Sequence, residues 1–392
     1  MKFNKWTIAL ASAGVVSLGS AVQADEHPVT SALGAVTIGG YVDTSAIWQI
    51  GRQTGAGMVN NLPGRSYDGA DKSDGFNLNV VKLSLEKPLD ESSWSAGYKV
   101  DLLFGPDANA YNTQSIFGGN TADFGVKQAY VALRVPAGNG IDLKMGVFDT
   151  IIGYEVFEAG NNPNYSRSYG YFMEPKGHTG LLASYQVSDW MSVAAGIADS
   201  WSQNINARPA GIAPWWRSES EKTYMGSFAL SAPESMGFLE GATLYAGVVE
   251  GQPVISSHSD WVNWYAGATM PTPVEGLSLG IAYDYFGISE SGVNSSVYAN
   301  AVSGYLVWKA TEKMTLASRS EYATFSGNYF GTPAFPGMRE VFAETLTLDY
   351  KLWDPVITRL ELRWDHDLEG GNSFGDLDTN ALSLALNVIY KF

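Results

Sequence analysis

Apolar and polar residues alternate singly through most of this chain, and that period of two constrains the fold more than any other feature. Successive side chains of a β-strand point to opposite faces, so single alternation writes a strand with one apolar and one polar face. The stretch 276–286 is the cleanest case: Leu277, Leu279, Ile281, Tyr283 and Tyr285 alternate with Ser278, Gly280, Ala282 and Asp284. Ile141, Leu143, Met145 and Val147 alternate likewise with Asp142, Lys144 and Gly146, and Leu382, Leu384, Leu386, Val388, Tyr390 and Phe392 oppose Ser383, Asn387 and Lys391. A soluble domain of this length would carry helical periods or wholly apolar core runs. No apolar run here reaches the roughly 20 residues of a membrane-spanning helix. The pattern predicts an all-β, transmembrane, antiparallel up-and-down β-barrel, with lipid outside and water within.

Sixteen strands are predicted, near residues 35–49, 76–87, 93–104, 124–135, 140–149, 178–186, 190–200, 222–231, 241–250, 259–270, 276–286, 296–309, 313–324, 339–350, 355–366 and 378–392. The links between them alternate in length, as they should when short turns lie on the periplasmic side and long loops outside. Short links fall at 88–92, 136–139, 187–189, 271–275, 310–312 and 351–354, and mostly longer ones at 50–75, 105–123, 150–177, 201–221 and 325–338; the longer link 231–240 breaks the rule. Both termini then lie on the periplasmic side, which requires an even strand number; fourteen and eighteen satisfy parity as sixteen does. Two irregularities stand out. Val80-Val81 breaks alternation and predicts a β-bulge, while Glu344 falls on the lipid face, where a misdrawn register is the expected explanation.

Aromatic rings prefer the membrane interface, so a barrel should carry two girdles. Trp94, Tyr185, Trp190, Trp308, Tyr350, Tyr390 and Phe392 are expected in one, at the short-link ends, and Trp48, Phe104, Trp201, Trp261, Tyr322 and Trp364 in the other. The first residues read as an export signal, with Lys2 and Lys5 ahead of an apolar stretch from Trp6 to Val16 and small residues from Ser20 to Ala24. Residues 1–24 are expected to be cleaved, leaving a single barrel domain over 25–392. Losing Lys2 and Lys5 takes the formal net charge from −16 to −18, which argues against nucleic acid as a partner. With no cysteine, disulfides and thiolate metal sites are excluded.

The segment 127–180 carries more than a generic strand pattern. It reads KQAYVAL, then GNGIDLKMGVFDTIIGYE, then NPNYSRSYGYFMEPKGHTG. Gln128 to Val131, Ile152 to Glu155 and Tyr165 to Ser168 fall where the OmpL-like β-barrel porin family has its Gln-Ala-Tyr-Val strand core, its Ile-Gly-Tyr-Glu and its loop with Tyr-Ser-Arg-Ser, and the chain resembles that family. The match is densest over about fifty residues, with architecture and C-terminal ending agreeing along the rest. The resemblance implies a porin-type channel in the outer membrane of a Gram-negative bacterium and no particular solute.

A barrel of about sixteen strands is wide enough for an aqueous channel, and porins narrow such a lumen with an inward loop and charged wall residues. The third long link, about 150–177, is the expected constriction by analogy of its place; it holds Glu155, Glu158, Arg167, Glu174 and Lys176, and its many aromatics imply packing against the wall. The blander alternative is an ordinary surface loop. Parity points Arg319, Glu321, Arg359, Glu361 and Arg363 into the lumen, with Lys99, Asp101, Arg134, Asp142, Lys144, Asp284 and Asp365. Arg319, Arg359 and Arg363 are expected either to form a basic strip opposing the acidic loop across the pore or simply to pair with neighbouring carboxylates.

No catalytic, cofactor or metal site is predicted. The four His residues, His27, His178, His258 and His366, sit in no nucleophile motif, and Asp365 and Asp367 point away from His366. Three functions are ranked: a diffusion porin for ions and small hydrophilic solutes, a structural or surface-binding barrel with a plugged lumen, and an outer-membrane enzyme. The expected partners are outer-membrane lipid, small hydrophilic solutes, the assembly machinery that reads the terminal Phe392, and, by fold analogy, two further copies in a homotrimer.

Overall fold

The computed structural model describes residues 36–50, 75–90, 94–111, 113, 123–209, 221–254, 259–289, 297–326, 339–370, 374 and 379–392. The expected export signal, His27, His258 and most of the links 50–75 and 325–338 lie outside these. Sixteen antiparallel strands close into one barrel, each paired with its neighbours in sequence and the first with the last. They are β1 (Thr37–Gln49), β2 (Gly75–Lys87), β3 (Ser95–Phe104), β4 (Phe124–Val135), β5 (Ile141–Asp149), β6 (Gly177–Ser188), β7 (Met191–Ala198) and β8 (Thr223–Ser231) in the first half. The second half supplies β9 (Thr243–Gly251), β10 (Trp261–Pro271), β11 (Leu277–Ile288), β12 (Val297–Lys309), β13 (Met314–Phe325), β14 (Glu340–Trp353), β15 (Val356–Asp367) and β16 (Asn380–Lys391). Two short helices, α1 (Pro106–Tyr111) and α2 (Tyr169–Met173), lie in long links. At about 3.3 Å per residue and a tilt near 45°, a strand of about twelve residues rises about 28 Å, which matches the apolar band of an outer membrane.

The seam between β1 and β16 runs from Tyr41 opposite Lys391 to Gln49 opposite Ser383. It is finished by Phe392, whose N–H donates to the Gly40 carbonyl and whose carbonyl accepts from the Gly40 N–H, both at 2.9 Å. A Cβ on Gly40 would come within 2.8 Å of the Phe392 ring, so glycine provides the seat for that ring. Behind the seam, Asn79 and Asn387 both donate to Asp43 Oδ1, at 2.7 and 2.6 Å, joining three strands on the lumen side.

The bulge predicted at Val80-Val81 is present. Asp43 pairs with Val80 and Thr44 with Leu78, so Asn79 is the extra residue, and Asn79 and Val80 both point inward while Val81 points out. A second bulge, which alternation did not reveal, leaves Lys127 extra on β4, since Asp101 pairs with Gln128 and Leu102 with Val126. The expected register error at Glu344 is wrong. Pairing runs unbroken from Val341 to Lys351, so Glu344 does face outward, where the hydroxyls of Ser318 and Ser320 donate to its two oxygens at 2.7 and 2.5 Å. The aromatic rims hold with two corrections. Trp48, Phe104, Tyr322 and Trp364 are exposed at the long-link ends, as are Trp94, Trp190, Trp308, Tyr350, Tyr390 and Phe392 at the other. Trp201 instead turns inward, donating its indole N–H to Asn263 at 2.9 Å and meeting Trp261 edge-on at 4.7 Å. Both rings pack inside the mouth because Trp261 shares parity with Asn263 and Trp201 lies past the end of β7, where alternation no longer applies.

Candidate functional site

β5 ends at Asp149, and the next twenty-seven residues, 150–176, fold into the barrel as an almost wholly buried loop, here loop 3. Its first limb crosses the lumen. The Tyr245 hydroxyl of β9 donates to the Ile151 carbonyl, Tyr154 meets Thr269 of β10 at 3.2 Å, and its ring stacks on Tyr305 of β12 at 4.1 Å. Glu155 then reaches Arg319 of β13 at 2.8 Å. Strand β13 stands eight places from β5 in a ring of sixteen, so this limb spans the full diameter.

The far wall is built to receive it. Arg319 is 0 % exposed and uses all three guanidinium nitrogens: Nε on Glu321 at 2.7 Å, Nη1 on Glu155 and the Ser166 carbonyl, Nη2 on Ser166 Oγ, the Arg167 carbonyl and Thr345. Arg363 pairs with Asp365 at 2.8 Å and donates to the Arg167 carbonyl at 2.6 Å. Two wall carboxylates instead accept loop N–H groups: Glu361 from Tyr165 and Ser166 at 2.6 and 2.9 Å, and Glu321 from Tyr169 at 2.8 Å. Arg359 pairs with Asp349 at 2.9 Å and donates to the Ala159 carbonyl. Inside the loop Arg167 holds the carbonyls of Val156, Phe157 and Tyr165, which ties its two limbs together.

The loop also meets the wall at β2 and β4. Glu158 accepts from Lys82 of β2 at 2.6 Å and lies 3.3 Å from Lys127 of β4. Burial opposes its charge, but Lys127 and Lys82 outweigh that and hold its carboxyl well below the usual range. At the stem, burial pushes the Glu174 carboxyl well above the usual range, Asp284 of β11 adds to this, and Lys176 opposes it.

Loop 3 therefore brings together Glu155, Arg167, Arg319, Glu321, Glu361 and Arg363 in one network, with Arg359, Glu158 and Glu174 at separate anchor points. Phe392 is far from all of them in role, on the outer seam. The three arginines present no bare basic strip: each is matched to a carboxylate of the wall and to backbone of the loop. Lys82, Lys127 and Asp284 are further anchors, which no local sequence pattern connects to the loop. Asp284 had the right parity, and Lys127 was hidden by its bulge.

The lumen is wetter toward the short-link rim. There Arg134 pairs with Asp142 at 2.6 Å and Lys99 with Glu86 at 2.9 Å, with side chains 18–28 % exposed against 0 % for Arg319 and Glu155. A closed sixteen-stranded barrel with a partly solvated, charged inner wall and an inward third loop defines a porin-type outer-membrane barrel. The family model described as "Putative beta-barrel porin-2, OmpL-like" matches residues 35–392, and the chain belongs to that family. No curated relative matches the sequence. Among solved structures the fold is similar to OmpF of Salmonella typhi in complex with daunomycin, with 11 % identity, TM-score 0.60, and coverage of 91 % of this chain and 97 % of that one. It is also similar to the anion-selective porin of Comamonas acidovorans (12 % identity, TM-score 0.58, 91 % and 99 % covered). The trimer form of OmpT from Vibrio cholerae gives the same values.

Proposed function

We propose that this protein is a passive channel for ions and small hydrophilic solutes, with loop 3 as its constriction and no catalytic role. The observation that carries the reading is loop 3 itself, laid across a sixteen-stranded barrel of a porin family and bonded to Arg319, Arg363, Glu321 and Glu361. Sixteen strands leave room for water, and an inward loop is how such a lumen is narrowed. Glu155, Glu158, Arg167, Glu174, Arg319, Glu321, Arg359, Glu361 and Arg363 act in this reading by holding loop 3 in place, and their pairing of both signs leaves no bare field of one sign to favour one ion. In this reading the short-link rim and both termini are periplasmic, residues 1–24 are removed on export, and the barrel sits in lipid as a homotrimer. Phe392 serves as the terminus read by the assembly machinery. Support for the trimer is the likeness to a neighbour described in trimer form.

A second reading, a structural barrel with a plugged lumen, draws on the contacts loop 3 makes with separate parts of the wall through Glu158 and Glu155. Reconstitution of the refolded protein in a planar bilayer separates the two. Stepwise ohmic currents are expected; a folded, inserted barrel that stays silent in every membrane would leave the plugged reading standing instead.

A further inference from the structure

Two carboxyl groups meet where the stem of loop 3 touches the wall. Glu174, three residues before β6, is 5 % exposed; Asp284, inward on β11, is 3 % exposed; and the two side chains are in hydrogen-bonding contact. A bond between two carboxyls exists only while at least one carries a proton, because both cannot ionise side by side in a dry site. Asp284 Oδ1 is buried without a hydrogen-bond partner among the described residues, so nothing on the wall takes up the added charge when that proton leaves.

The pair is packed directly against loop backbone on both sides. A Cβ placed on Gly153, in the outgoing limb, would collide with the Glu174 carboxyl, and one on Gly170, in α2, would collide with that of Asp284. Both limbs of the loop therefore rest on the acid pair, so repulsion within it acts directly on the loop. The surrounding charges do not offset it fully. From the loop Lys176 is favourable and Glu155 is not, while Arg167 opposes the charge on Lys176; β13 adds the acidic Glu321, and β10 contributes the Tyr265 phenol. Lys176 donates to the Tyr171 carbonyl and lies 3.5 Å from the centre of that ring. Burial draws its ammonium down to about 8, against the pull of Glu174 and Asp284, so its charge also fades as alkalinity rises.

We propose that Glu174 and Asp284 form a proton-sharing latch that holds the stem of loop 3 against β11, and that loss of the shared proton loosens the loop. Only its consequence for conductance rests on the channel reading. In the latched loop the Glu174 carboxyl is held above its ordinary value of 4.5, and in a released, wet loop it returns toward that value. The latched form thus binds more protons. Its extra stability is complete below the released value and is lost as pH rises through the titration of the latched pair.

The test is amide exchange of Ser166, Ser168 and Tyr169, whose N–H groups are held by Glu361, Glu155 and Glu321. Protection, normalised to the intrinsic rate at each pH, is followed in the refolded full-length barrel from about pH 5 to about pH 9. Wild type should lose roughly tenfold or more in protection as pH rises, a change of about 1.4 kcal/mol. Glu174→Gln, which donates to Asp284 without a second ionisable group, should give a flat profile, and Asp284→Asn provides the same test from the wall side if the first variant folds poorly. Protection independent of pH in wild type, or a wild-type profile in both variants, would overturn the latch. A barrel that is silent in bilayers at every pH yet shows the protection change would sink the channel reading and leave the latch in place.

Discussion

Arg319 bonds to loop 3 and to two wall strands from one guanidinium, and its burial makes it costly to remove. Such a pair says little about net stability, since desolvation offsets most of the Coulombic gain, but stripping out one partner leaves the other charged and dry. Arg319→Met should therefore weaken the loop's attachment by about 3–5 kcal/mol, seen as a loss of roughly a hundredfold or more in exchange protection at Ser168 and Tyr169. Amides of the barrel ladder should keep theirs; equal loss in both would mean that Arg319 supports the wall rather than the loop. The wall side of this network was legible in the sequence, because Arg319, Glu321, Arg359, Glu361 and Arg363 follow from strand parity alone. Their partners were not. Contacts such as Glu158 to Lys82 join residues that no local pattern relates, and Lys127 sits on a bulge that shifts the parity by one.

At the scale of strands and links, alternation and turn spacing located all sixteen strands to within about three residues, because each strand carries its own two-faced signature. What failed was distrust of that signature at Glu344, and trust in it past the strand ends at Trp201. A carboxylate on the lipid face is tolerated here by two serine hydroxyls rather than avoided. Glu344→Gln should stabilise the barrel by about 1 kcal/mol in urea titrations in liposomes, since charges on that face are destabilising and acidic ones less so than basic ones; a destabilised variant would show that the charge is matched by a partner in the membrane. The seam of the ring is finished by the Gly40–Phe392 exchange of hydrogen bonds. Deleting Phe392 should lower the amount of assembled barrel in the outer membrane well before it alters the conductance of those that assemble, and equal surface levels would remove its targeting role.

For the whole molecule, loop 3 divides the lumen into a dry upper crossing and a wetter vestibule at the short-link rim. Neutralising Arg359 and Arg363 together should change the reversal potential in a salt gradient only if solutes pass between loop and wall at that side; an unchanged potential would confine the two residues to anchoring. In the proposed channel loop 3 sets the bore. That role is tested most directly by comparing single-channel conductance of the wild type with that of a variant in which residues 152–175 are replaced by a short Gly-Ser linker, in the same bilayer and salt. Small ohmic steps are expected from the wild type and steps several-fold larger from the variant. Equal conductance in the two, or silence in both from folded and inserted barrels, would contradict it.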